Sequence, residues 1–132
     1  MSYQDEIFEQ GVVNRREVLG IELAGAETPA GAFVKDFREF AVGWCWGAGW
    51  SRTELDRRSR SMITLGMLVA LRSLGEIKLH VKGALRNGLT PEEIREVVLH
   101  ATIYAGVPAG GAAMQAVVEA LEAEGAIKGK AA

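Results

Sequence analysis

The chain has one cysteine in 132 residues, Cys45, so an internal disulfide and a CxxC redox pair are both excluded. Flanked by Trp44 and Trp46, that thiol reads as a buried small hydrophobe, and the usage fits a reducing compartment. Excess basic charge is also missing. The formal net charge is −2, which argues against nucleic acid as a general partner. The N-terminus MSYQDEIFEQG is polar and acidic, unlike a secretory leader. The most apolar run, Met62 to Leu71, is too short for a bilayer and holds Thr64 and Gly66, so no membrane role is expected and the expected location is cytoplasmic. The two histidines, His80 and His100, belong to no HExxH or other metal-ligand cluster, so no metal site is expected. The glycine-rich stretch Gly106-Val107-Pro108-Ala109-Gly110-Gly111 has no GK[ST] and follows a helical pattern, so it is no phosphate loop.

What is present is ordinary globular material, 48% hydrophobic and 24% charged, of a length that suits a single domain over residues 1–132 with its core at about 32–124. The periodicity predicts an all-α fold of about six helices and no strand. The first runs from about Gln4 to Leu19, with Gly11 weakening its middle. Glu22 to Gly31 reads as a linker, suited to lie over another subunit. A second helix is expected over Ala32–Gly47, where Phe33, Phe37, Phe40, Ala41 and Trp44 share one face and Trp44 reads as core. Gly47 to Arg52 reads as a turn. Thr53, with Asp56 three residues on, reads as the cap of a third helix reaching Leu74. After Arg60 that helix is apolar almost all round, which requires a central position or a partner subunit. A fourth helix spans Glu76–Asn87. Thr90-Pro91-Glu92-Glu93 carries a capping box with proline in the first turn, opening a fifth helix to about Ala105. The sixth runs from about Ala109 to Glu124, and Ile127 to Ala132 read as a frayed end. A chain this short buries only about two thirds of its unfolded surface. The apolar third helix and alanine-rich sixth therefore point to an oligomer.

Several residues can carry chemistry. His80 falls on the apolar side of the fourth helix with Ile77, Val81, Ala84 and Leu85, and Glu76 one turn earlier can orient its imidazole. It reads equally as a core histidine satisfied by one hydrogen bond. His100 sits at the edge of the fifth helix's apolar face, with Tyr104 one turn on; both suit a pocket wall, or a purely structural contact. Arg52, Arg57, Arg58 and Arg60 crowd a helix start where the dipole disfavours cations. Either solvent with Glu54 or Asp56 offsets this, or the arginines grip an anionic ligand. Trp50, with Trp46 near it, can give that ligand a dry wall.

Two segments carry a family resemblance. The run GWCWGAGWSR with LDRRSRS, followed by NGLTPEEI, a histidine and YAGVPA, closely resembles the gamma-carboxymuconolactone decarboxylase family over about Glu9 to Leu121. The broader family includes alkylhydroperoxidase-like proteins with a CxxCxxxH motif and an upstream glutamate. Here the motif's histidine is His80, its two cysteines are replaced by Ser73 and Glu76, and the glutamate falls at about Ser61, so dithiol peroxidase chemistry has no means to run. The resemblance implies an alkylhydroperoxidase D-like (AhpD-like) helical bundle, related to peroxiredoxin-like folds and usually hexameric. It implies loss of CO2 from 4-carboxymuconolactone to give the enol-lactone of beta-ketoadipate in protocatechuate breakdown, with no cofactor. The expected substrate is a small dicarboxylate lactone held by Arg52, Arg57 or Arg60 against Trp50 and Trp46. His80 is expected to deliver the proton with Glu76 orienting it, His100 competing for that role and Tyr104 donating to the oxyanion. The alternatives are a decarboxylase or isomerase of a related carboxylated lactone, and a non-catalytic dicarboxylate-binding oligomer.

Overall fold

The computed structural model of the chain describes residues 1–23 and 28–129. Among these residues the protein is helical throughout, without strands, and no helix is long and apolar enough to cross a membrane. The chain forms two compact units, Met1–Leu55 and Asp56–Ala132.

In the first unit α1 (Tyr3–Leu19) opens on Ser2, whose hydroxyl accepts from the Asp5 N–H, and closes on Gly20. The linker expected over Glu22–Gly31 is partly corrected: residues 24–27 lie outside the described residues, and from there Thr28 caps a short helix α2 (Pro29–Phe33) through the Gly31 N–H. The single helix expected over Ala32–Gly47 is also corrected. It breaks at Val34, resumes as α3 (Lys35–Ala41), and then widens into a π-helical segment, Val42–Gly49. Its wider i→i+5 bonding continues into the Trp50 N–H, which donates to the Cys45 carbonyl at 3.0 Å, so the expected Gly47–Arg52 turn begins only after Gly49.

The cause of the close packing between α1 and the π segment is small residues. A Cβ on Gly47 would lie 1.8 Å from the Ile7 carbonyl oxygen. Asn14, almost fully buried, donates to the Trp46 carbonyl (2.7 Å) and the Ser51 hydroxyl (2.9 Å), and Gln10 in turn donates to its Oδ1. The widened helix turns its aromatic and thiol residues outward. Trp44, expected in the core, is 44% exposed and meets Tyr3 edge-on at 5.8 Å. Cys45, expected to be buried, is exposed for the same reason.

The second unit holds α4 (Arg57–Leu71), α5 (Leu74–Arg86), α6 (Pro91–Ala105) and α7 (Val107–Ala123). Asp56, not Thr53, caps α4: its Oδ1 accepts from the Ser59 N–H at 2.7 Å. α4 ends at Leu71, short of the expected Leu74, and reverses through Arg72 into α5. The box at Thr90 forms as the sequence predicts, with the Glu93 N–H donating to the Thr90 hydroxyl and the Thr90 N–H to the Glu93 carboxylate. Gly106, at φ 99°, breaks the chain between α6 and α7 where an L side chain would be strained. All four helices contribute to one core, including Leu65 and Val69, Ile77 and Val81, Ile94 and Val98, and Ala113 and Val117. The alanines of α7 bring its backbone close to its neighbours. Of the two expectations for α4, a central position is not met within the single chain: Ile63, Met67 and Leu71 lie 47%, 55% and 74% exposed along one stripe.

Gly47→Ala is expected to lower Tm more than Thr90→Ala. The first forces a Cβ into backbone; the second removes a cap worth about 1 kcal/mol. Thermal denaturation followed by circular dichroism checks the order, and equal losses would contradict this account of the first unit.

Candidate active site

The second unit carries most of the chemistry. α5 is amphipathic, with Ile77, Val81 and Ala84 fully buried. His80 lies between them in the helical register and is itself 8% exposed. Glu76 is one turn earlier, its Oε2 4.0 Å from the His80 Nε2. That distance is too long for a hydrogen bond, so the contact acts through charge alone. Two effects then compete on the imidazole. Burial pushes its pKa below the ordinary value of 6.5, and the Glu76 carboxylate pulls it partly back; burial is the stronger. His80 is therefore mainly neutral near pH 7, and its cation, when formed, is a stronger acid than a free histidine.

The arginines occupy the start of α4, where the helix dipole opposes them. Asp56 offsets part of that charge. Its carboxylate accepts from Ser59 and faces Arg58, which together hold its pKa below the usual range. Arg58 also forms an ion pair with Glu93 of α6. Glu93 uses its other oxygen in the cap of its own helix, so a single carboxylate joins two helix starts. From the other side, the Asn87 amide donates to the Arg57 carbonyl at 3.3 Å and to the Ser61 hydroxyl at 2.9 Å. Ser61 is fully buried, so the bond is shielded from water. Arg58 is committed to Glu93, and Arg57 and Arg60 lie on the same turn of α4, three residues apart and half-buried.

His100 stands elsewhere. It is exposed on α6, with its ring 5.3 Å from that of Tyr104, which is 81% exposed. The expected contact between them is present. His100 lines an open groove of about 690 Å³ between α4 and α6, walled by Met62, Ile63, Met67, Val97 and Ala101 and rimmed by Glu92, Glu93 and Glu96. His80 is not part of that lining. Glu92 and Glu96 on the rim repel a dianion, while Glu93 is already paired with Arg58, so the groove suits apolar burial better than a dicarboxylate. The sequence analysis did not single it out, although the all-apolar pattern of α4 contained the signal.

In the first unit Trp46 and Trp50 stack, with centroids 4.9 Å apart and planes 25° from parallel, and both are half-buried. Arg52 is exposed and lies 3.8 Å from Glu54. The structure therefore forms local pairs of the expected site residues, His80 with Glu76, His100 with Tyr104 and Trp46 with Trp50, and places Arg57 and Arg60 on one turn of α4. Sequence reasoning placed Glu93 in its capping box and Asn87 at a helix end but missed their contacts with α4, which have no local signature. Among the described residues no group of three His, Cys, Asp or Glu side chains is placed to hold a metal ion.

Comparison with known proteins bears on what such a site serves. The sequence profile of the Carboxymuconolactone decarboxylase family matches residues 35–119. The chain belongs to this family. The carboxymuconolactone decarboxylase scaffold is AhpD-like and all-helical, as the structure is. Among its relatives is nitrosuccinic acid decarboxylase npaB of Metarhizium robertsii, 42% identical over 103 residues, or 77% of this chain and 72% of the relative. Another is 4-carboxymuconolactone decarboxylase of Acinetobacter baylyi, 37% identical over 111 residues, or 83% of each chain. Both relatives are decarboxylases, and their likeness to this member of the family supports decarboxylase activity in it.

Burial of His80 has a consequence for stability. Its folded pKa lies below its unfolded value near 6.5, so protonation favours the unfolded chain. The stability tied to the neutral ring is present above pH 6.5 and is lost as the pH falls through the folded value. Tm is expected to drop on acidification below pH 6.5, and His80→Gln to flatten that drop. Melting curves between pH 8 and 5 check this; parallel profiles for the two proteins would contradict it.

Proposed function

We propose that this protein decarboxylates 4-carboxymuconolactone to the enol-lactone of beta-ketoadipate, as a step of protocatechuate breakdown in the cytoplasm. The observation that carries the reading is the buried His80 beside Glu76, in the same unit as the arginine-bearing first turn of α4. The match to a decarboxylase of that name over most of both chains supports it. So does the run of the family match through both compact units, which in this reading form one functional domain.

The substrate carries its own electron sink. The departing carboxylate sits on the ring carbon next to the ring oxygen. As its C–C bond breaks, the electron pair moves through the C=C bond into the lactone carbonyl and CO2 leaves. The resulting dienolate takes one proton on the carbon alpha to the carbonyl, so one carboxylate and one proton become one C–H bond and CO2. This route requires no cofactor.

Four tasks remain for the protein. Arg57 and Arg60, with Arg52 as a further candidate, hold the carboxylate that is kept. Tyr104 is the candidate donor to the growing oxyanion. Trp46 and Trp50, stacked on each other in the first unit, are the candidates for an apolar surface that favours loss of the departing carboxylate's charge. His80 delivers the proton, its acidity sharpened by burial while Glu76 favours formation of the cation. His100, exposed and beside carboxylates, is the weaker candidate for that step.

The working form in this reading is a homo-oligomer, a hexamer on the family resemblance. Apolar side chains left in solvent support it: Ile63, Met67 and Leu71 on α4, Leu99 and Ile103 on α6, and Phe33, Phe37 and Phe40 in the first unit.

A second reading is favoured by the other relative, whose identity is 42%. Nitrosuccinic acid also carries a second carboxylate, and its nitro group can accept the electron pair. The same arginines and histidine would serve it.

Turnover is measured for both acids, the lactone being generated in place by its cycloisomerase. The lactone is expected to be used with the higher kcat/KM. His80→Ala is expected to lower kcat by more than about 100-fold, and the wild-type rate to decline as pH rises above the His80 pKa. Arg57→Ala/Arg60→Ala is expected to raise KM. Preference for nitrosuccinate moves the assignment to the second reading. Folded, oligomeric protein without turnover of either acid moves it to a related carboxylated lactone or to dicarboxylate binding.

A further inference from the structure

Asn87 caps the end of α5, where its own N–H donates to the Gly83 carbonyl. That bond alone would satisfy its place in the helix. Its side chain goes further and donates to two acceptors on another helix, the Arg57 carbonyl and the Ser61 hydroxyl. These acceptors are one turn apart and bracket Arg60. Asn87 also stands seven residues after His80, almost two full turns, and so lies on the same face of α5 with Ala84 between. At 1.5 Å per residue the two positions are about 10 Å apart along the axis.

From this arrangement we propose that Asn87, acting through Ser61, is a positioning residue that sets the spacing between the Arg57–Arg60 turn and His80. The proposal rests on the reading of those arginines as the anion clamp. The buried Ser61 hydroxyl and the Asn87 amide hold α4 and α5 in one relative placement. The Arg58–Glu93 pair ties the same helix start to α6, so Asn87 supplies the side-chain link to α5. Asn87 does not touch the reacting atoms. Its loss loosens the grip on the retained carboxylate and leaves the acidity of His80 unchanged.

The experiment compares wild type, Asn87→Ala, Asn87→Leu and Ser61→Ala as intact protein. Asn87→Leu keeps nearly the size and removes every polar atom of the side chain, so it separates hydrogen bonding from packing. Two readouts are taken at a temperature well below every Tm: KM and kcat for the carboxylated substrate, and amide hydrogen exchange over residues 57–61. Both Asn87 variants are expected to raise KM by about 5- to 10-fold while kcat changes less than about 3-fold. Exchange over residues 57–61 is expected to quicken about tenfold, with α7 unaffected. Ser61→Ala, which leaves the Arg57 carbonyl as acceptor, falls between. A role in stability alone would lower Tm with KM unchanged, and that result overturns the proposal. So does wild-type exchange at residues 57–61 in both Asn87 variants, whether or not the wild type turns over. A wild type without turnover but with quickened exchange in the variants counts against the functional reading, not against the link between the helices.

Discussion

The second unit depends on how one helix start is held. α4 begins with Arg57, Arg58 and Arg60 at the end where the helix dipole already places about half a positive charge. Such a start is unfavourable by itself. Asp56 caps it, Glu93 pairs with Arg58 from α6, and Asn87 fastens the Arg57 carbonyl and the Ser61 hydroxyl from α5. An end held in this way keeps positive charge concentrated at one place. Repulsion that would fray an isolated helix is contained by the neighbouring helices.

The placement of His80 follows the same logic. A histidine on the buried face of an amphipathic helix loses charge to burial and regains some from a carboxylate one turn away. Glu76 stands at the solvent side of the same helix turn, so the carboxylate acts on the ring without being buried with it. Between them α4 and α5 carry the arginines and the histidine, and the loop that joins them is short.

Much of this was legible in the sequence. The apolar spacing of α5 and α6 gave His80 an inward register, and Thr90 with Glu93 announced a helix start, because both features are local. Three other features were not. The cap of α4 is Asp56 in place of Thr53, because the helix begins three residues later than the sequence pattern indicates, at Arg57. The aromatic stripe from Phe33 to Trp44 suggested a core face, yet the wide π turn and the break at Val34 left Phe33, Phe37, Phe40 and Trp44 in solvent. The partnership of Asn87 with Ser61 spans 26 residues and has no periodic signature. Spacing identifies what shares a helix face; it does not say which distant helix a side chain will reach.

Glu93 spends one oxygen on the Thr90 N–H and the other on Arg58. Aspartate there would be a methylene short of one partner, and glutamine would keep an acceptor and lose the charge. The position is thus doubly constrained by contacts within the fold. Glu93 also lines the groove between α4 and α6, so the wall of that groove and the fastening of two helix starts cannot be altered independently at this side chain.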